Sequence, residues 1–331
     1  MKYSGIGGQA VLEGIMMKNG DEYALAVRKS DGEVAVEKHE FKGTFAGSKI
    51  TRLPFVRGTF NFIDSLVLGM KTIMASADYF EEEEDGDAKK DVKEAPTPEQ
   101  KEKEKKKDTA GMAVALVLAL GICIVLFILL PAWITGFLAP VLDRISNVLL
   151  RNFTDRLLEG IIRIIIFVLY IVGVSVMKDI RRTYMYHGAE HKCINCIEHG
   201  KMLTVENVRA SSRFHKRCGT SFLLIVMLIS VVVFMFIPNL VLPLKMICRL
   251  ALLPVVAGIS YEFLRLAGRS DNVLINVLSA PGLWLQRVTT KEPDDEMIQV
   301  GIASVEAVFD WKKYLRENFP EQYAESEKQE D

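Results

Sequence analysis

Residues 184–198, YMYHGAEHKCINCIE, place two histidines four positions apart, His187 and His191, with Glu190 directly before the second. On a helix that spacing puts both imidazoles on one face, near enough to hold one ion. The string HGAEH is H-x-x-E-H, the inverted order of the zinc-hydrolase helix. Zinc lowers the pKa of water towards about 7, and a neighbouring carboxylate accepts the proton. Glu190 is therefore read as a general base, and His187 and His191 as ligands of zinc or another divalent transition metal.

A second polar cluster, HKRCGTS, follows and carries His215 and Cys218. Four of the chain's five histidines and three of its five cysteines fall within 187–218, a density that solvated decoration does not explain. With the two clusters together, His187, His191, His215 and Cys218 form a three- or four-ligand set. A rival set uses Cys193-x-x-Cys196 with His215-x-x-Cys218, which is close to zinc-ribbon spacing and would make a closed, structural Cys₃His site. A redox CxxC is the weaker third reading, since no thioredoxin-like βαβ pattern surrounds it. Cys123 and Cys248 lie in apolar blocks and read as small core residues.

The elements that must position these residues are largely apolar. Four blocks, 110–134, 160–177, 221–244 and 246–268, are each long enough to cross a bilayer, whose hydrocarbon core needs about 20 apolar residues per helix. Charges in the second and fourth blocks sit near their ends. Arg163 and Arg249 read as snorkelling arginines, and Glu262, too short to reach far, is a possible ligand or orienting group. The segment 178–217 holds nine lysines and arginines, 135–159 holds three, and the link between the last two blocks holds one. Retention of positive loops then places 178–217 and both termini in the cytosol. No cleavable signal peptide is expected, because the first apolar block begins only near residue 110.

The fold class that follows is mixed: an α-helical four-span membrane bundle with a small N-terminal β-rich (α+β) cytosolic domain. Residues 1–80 form that domain. YALAVRKSDGEVAVEKHEF alternates apolar and polar side chains around the turn signal SDG, and Phe60, Ile63, Val67, Met70, Met74 and Ala77 recur at helical spacing. This amphipathic helix is expected either on the hairpins or in the membrane interface. The glycines of GIGGQAVLEGIMM, ahead of Gln9 and Glu13, match no phosphate-binding motif and read as turn residues.

Residues 81–108 run from an acidic to a basic cluster with no aromatic, the composition of a disordered charged linker. Its basic end suits anionic headgroups, and without aromatic interleaving a nucleic-acid partner is not expected. The transmembrane domain then covers 109–268, with the metal-site loop at 178–220. Residues 269–331 contribute interfacial and cytosolic helices. NVLINVLSAPGLWLQRV (272–288) is broken by Pro281 and Gly282 into pieces too short to span, with Trp284 as an interfacial anchor. PDDEMIQVGIASVEAVFDWKKYL reads as one helix with acidic residues at its start.

GGQAVLEGIMM, YHGAEHK, HKRCGTSF and APGLWLQRVTTKEPDDEMIQVGIASVEAVF together resemble the YqhQ family, bacterial membrane proteins of unknown function described as predicted metal-dependent enzymes. The resemblance spans nearly the whole chain apart from the linker and the last ten or so residues. It implies that His187, Glu190, His191, His215 and Cys218 belong to the family pattern, with Gln9, Glu13 and Glu198, and that Cys193 and Cys196 do not. The expected function is a membrane-embedded, metal-dependent hydrolase at the cytosolic interface of a bacterial cell membrane. Peptide-bond cleavage, on a membrane-protein or lipid-linked substrate, is the first expectation by analogy with other inverted-motif zinc enzymes. The alternative is a non-catalytic membrane scaffold or assembly factor in which a closed zinc site pins the helices.

Overall fold

The computed structural model describes every residue except 45–50, 52, 89–113, 115, 116, 120, 238, 239, 271 and 331. Most of the linker expected over 81–108 thus lies outside the described residues. Two compact units form: Met1–Glu81 with Ile171–Ile229 and Leu250–Asp331, and Glu82–Tyr170 with Ser230–Arg249.

In the first unit, β1 (Gly7–Val11), β2 (Gly14–Asn19), β3 (Glu22–Arg28) and β4 (Val34–Glu40) make one antiparallel meander in chain order. Its register pairs Gly8 with Met17 and Tyr23 with His39. Two-residue turns need left-handed backbone, which Glu13 (φ 48°) and Gly20 (φ 60°) supply. Both faces of the sheet are covered, so strand alternation sorts side chains between two cores rather than between core and water. Met16, Tyr23, Leu25 and Val27 face α1 (Val56–Ala88), whose Leu68, Ala75 and Tyr79 pack on them. Ile15, Met17, Ala24 and Ala26 face α4 (Lys178–Glu198) and α9 (Asp295–Val308). The small Ala24, Ala26 and Gly301 let α9 approach, and Ser304 donates to the carbonyls of Ile15 and Ala24 at 3.1 and 3.2 Å.

The amphipathic helix expected near residues 60–77 is present, but the stripe read from its spacing does not face the sheet. Leu68, Thr72 and Ser76 do, while Val67, Met70 and Met74 are exposed.

Among the described residues three helices are long and apolar enough to cross a membrane: Val117–Leu142, which ends in α2 (Leu130–Leu142), α3 (Val148–Val174), and Pro243–Ala267 within α7 (Leu242–Ala267). The third apolar block forms a shorter helix, α6 (Gly219–Phe234), 16 residues or about 24 Å long at 1.5 Å per residue. In the second unit Glu159 of α3 is buried and accepts from Arg163 (3.0 Å), Lys245 (3.0 Å) and both terminal nitrogens of Arg249 (2.5 and 2.8 Å). Arg163 and Arg249, expected to snorkel, are instead paired inside the protein, because one carboxylate lowers the cost of burying several cations.

Two sequence expectations are corrected in the C-terminal segment. Residues 272–288 do not break at Pro281 and Gly282 but form one helix, α8 (Val273–Thr289). Asn272 caps it by accepting from Leu274 N–H at 2.8 Å, and Gly282 is where Ser221 packs against the helix. Conversely, the helix expected from 293 onward splits at Phe309–Asp310. There Asp310 ends α9's run and caps α10 (Trp311–Asn318) through Lys313 N–H at 2.9 Å. The remaining elements are α5 (Val205–Arg209) and α11 (Pro320–Glu330).

Candidate metal centre

His187 and His191 stand one turn apart on α4, with ring centroids 4.4 Å apart. Cys218 arrives from the residue before α6, and its Sγ lies 3.2 Å from His187 Nε2. One ligand atom from each of the three fits within a 4.8 Å cluster. Both rings are locked from behind. His187 Nδ1–H donates to the carbonyl of Thr289 (2.8 Å) and His191 Nδ1–H to that of Arg213 (2.7 Å). A carbonyl only accepts, so each Nδ1 carries a proton and Nε2 is the nitrogen each ring would offer to a metal. Two imidazole nitrogens and a thiolate are a donor set that suits zinc, and the residues fit such an ion.

The electrostatics agree with that use. Burial alone would raise the Cys218 thiol, but His187 and His191 outweigh it and hold the group well below its ordinary value, as a thiolate. Burial opposes charging His187, yet the Cys218 thiolate and then Glu190 push its pKa up to about 9. Glu190 is buried beside them, with its Oε2 3.9 Å from His187 Nε2 and its carboxylate accepting from Gly8 N–H. Burial raises its pKa above the usual carboxylate value.

The other sequence-selected residues take different positions. His215 lies near the trio, 5.7 Å from His191 between ring centroids, but its Nε2 faces Glu198 at 3.4 Å. Glu198 also accepts from Ser4 N–H (2.9 Å), Ser4 Oγ (2.7 Å) and Arg217 (2.5 Å). Burial raises the Glu198 pKa, but His215 and Arg217 more than offset this and bring it to about 2. Burial takes His215 down to about 4, so it is neutral at pH 7. Gln9 packs its amide on Gly69 of α1. Glu13 pairs with Arg182 and accepts from Tyr186 at 3.2 Å. Glu262 pairs with Arg57 at 2.5 Å. Cys193 and Cys196 turn into the apolar core between α4 and α9, where Cys193 packs on Gly301 and Cys196 points at the carbonyl of Met202 (3.3 Å). The ribbon set is thus not brought together, because positions 193 and 196 lie on the sheet-facing side of α4.

A cavity of about 550 Å³ opens on the trio, lined on one side by Gly5 to Gln9 and on others by Asn61, Asp64, Tyr261 and Arg217. Two glycines, Gly8 in this wall and Gly188 on α4, carry no chemistry but permit close approach around the site. A Cβ on Gly8 would sit 2.7 Å from Met16 O and 2.9 Å from Glu190 Cγ. A Cβ on Gly188 would sit 1.9 Å from the carbonyl of Lys291. Gly188→Ala is therefore expected to push α4 off the 289–291 segment, release His187 from Thr289, and cost about 3 kcal/mol as overpacking against rigid backbone. A denaturation midpoint unchanged from the parent in detergent would show that this contact is dispensable.

A chain with helices long and apolar enough to cross a membrane, and a small antiparallel sheet packed on a helix that carries H-x-x-E-H, is the class these features define. A family described as protein of unknown function (DUF1385) matches residues 53–311. The chain is also 34% identical over 299 residues, 90% of each chain, to an uncharacterized protein YqhQ of Bacillus subtilis (strain 168). It belongs to this YqhQ family. No solved structure matches it.

Proposed function

We propose that this chain is a membrane-embedded hydrolase that uses zinc or a similar divalent ion held by His187, His191 and Cys218. The carrying observation is that three ligand atoms cluster within 4.8 Å beside a buried carboxylate and an open cavity of about 550 Å³. Three protein ligands with an open side are what a catalytic site needs, whereas a structural site is closed by four. When bound, the ion supplies Lewis acidity toward water and a substrate carbonyl. Glu190 accepts the proton at its carboxylate and delivers it to the leaving group. Gly8 N–H orients Glu190, and Thr289 and Arg213 hold the imidazoles. The substrate class that fits is a peptide or other acyl bond in a membrane-protein or lipid-linked molecule. The basic 178–217 segment argues for a site on the cytosolic side of a four-pass bacterial membrane protein with both termini inside.

The scaffold reading is favoured by one feature, the position of His215 next to His191, from which it could become a fourth ligand. X-ray absorption on the zinc-loaded protein separates the two. Two nitrogens, one sulfur and one light-atom donor from solvent support the hydrolase. Three nitrogens and one sulfur, reverting to two nitrogens in His215→Ala, would replace it with the scaffold.

A further inference from the structure

The exposed side of α1 is a feature that the metal centre leaves unused. Leu66, Val67, Met70, Ile73 and Met74 are each 40–58% exposed. At 100° per residue they fill an arc of about 120°, opposite the Thr72–Ser76 side that meets the sheet. Between Gly58 and Phe80 the charges of the helix keep to a line between this arc and the sheet-facing side, and the acidic run Glu81–Asp87 follows. Asp64, Lys71 and Asp78 recur every seven residues along one border of the arc. Asp64 accepts from Thr44 N–H at 2.7 Å, and Lys71 lies over the Tyr23 ring at 5.9 Å. A monomeric soluble surface rarely leaves such a stripe bare.

What covers it is indicated by where α1 begins. Its first turns pack directly on a helix long and apolar enough to cross a membrane. Thr59 Oγ1 donates to Pro254 O (3.0 Å), Asn61 donates to Tyr261 Oη (2.8 Å), and Gly58 meets Gly258 closely enough that a Cβ would lie 3.0 Å from its Cα. Pro254 lies 13 residues before the end of α7 at Ala267, about 20 Å along the helix axis. The first turns of α1 thus lie along the half of α7 that runs from Pro254 to its end at Ala267, and the stripe continues from there. Next to it Phe62 meets Phe222 on the first turn of α6, at 5.4 Å between centroids. That same turn, through Ser221, touches Gly282 of α8, whose outer residues Val273, Leu274, Val277 and Trp284 are also exposed.

We infer that α1 is an in-plane membrane helix: its Leu66–Met74 face lies in the boundary between headgroups and acyl chains of the bilayer that α7 crosses, with the charge row at the water side. This goes beyond the hydrolase reading and does not depend on it. One consequence is positional. Asn61, Asp64 and Leu68 of the same helix line the cavity, so its mouth lies at the bilayer surface and a ligand reaches His187 along that surface.

The test uses the full chain carrying Trp133→Phe and Trp284→Phe, reconstituted in phosphatidylcholine vesicles with and without lipid brominated high on the acyl chain. Tryptophan is placed singly at Val67, Met70 and Ile73, and at Tyr79 on the sheet-facing side as a control. The three outer positions are expected to lose roughly half their emission to brominated lipid, as for side chains some 5–10 Å into the interface, and the control and buried Trp311 little. Emission that ignores brominated lipid but is quenched by aqueous acrylamide would overturn the inference, placing the face in water. Emission protected from both quenchers would overturn it too, placing a protein surface such as a second copy there.

Discussion

Glu190→Gln is expected to leave the metal bound and to lower turnover by about 10²- to 10⁴-fold, the usual contribution of a positioned general base. The substitution is nearly isosteric, and the amide oxygen of glutamine can still accept from Gly8 N–H, so the wall formed by β1 stays in place. What is lost is only a proton acceptor 3.9 Å from His187. In the metal-free protein burial raises the Glu190 pKa, and a dication held by His187, His191 and Cys218 would act in the opposite direction, favouring the carboxylate that a base must be. His191→Ala provides the contrast, because removing a ligand takes metal and function together. The comparison is made by metal content of the purified variants and by complementation of a deletion strain at matched protein level. Full complementation by Glu190→Gln with metal retained would sink the hydrolase reading, since no other carboxylate of the described centre is aimed at the trio: Glu198 is committed to Ser4, Arg217 and His215.

The parts of this arrangement that were legible in the sequence are those fixed by short-range geometry. H-x-x-E-H carries its own helical register, so His187 and His191 share a face wherever the helix goes. The β3–β4 hairpin is likewise written in alternation and the SDG turn, whereas Gly7 and Gly8, read as turn residues, lie in β1 because its pairing with β2 depends on backbone rather than side chains. Cys218 could be associated with them only as a member of a dense cluster, and its 3.2 Å approach to His187 depends on how α6 leaves the loop. What escaped reading depends on partners far along the chain. The carbonyls of Thr289 and Arg213, which set both tautomers, are backbone groups that any residue type would supply. His215 belongs with Glu198 because Ser4 and Arg217 assemble around that carboxylate, and Glu262 belongs with Arg57, 205 residues away. The face of α1 was misleading for a related reason. Its most regular apolar spacing marks the outer stripe, while the sheet side uses Gly69, Thr72 and Ser76, small or polar residues that permit close approach.

Zinc titrated into the metal-free protein at about pH 7 is expected to displace about one proton per ion, because the ligands must bind deprotonated. The proton comes from His187. Its pKa of about 9 means that the ring is imidazolium below that pH: burial works against the charge, but the Cys218 thiolate and Glu190 outweigh burial. Cys218 contributes none, since its pKa is depressed, and a depressed acid has already lost its proton at neutral pH. The sign follows directly. Affinity rises about tenfold per pH unit while His187 must be deprotonated, and levels off above about pH 9, once the ring is neutral without help. From about pH 6 to 9 that is roughly a thousandfold, or about 4 kcal/mol at 1.36 kcal/mol per unit. Calorimetric titration in buffers of different ionisation enthalpy measures the proton count directly. A neutral thiol beside a neutral ring would also release one proton, from sulfur, so the pair is identified by ultraviolet thiolate absorbance of the metal-free protein at about pH 7 that Cys218→Ala removes; no such absorbance, or a count of zero, would show that the thiolate–imidazolium pair does not exist in solution. Cys218→Ala carries the same logic one step further: without the thiolate, His187 loses what raised its pKa, so the proton release should vanish along with one of the three ligands.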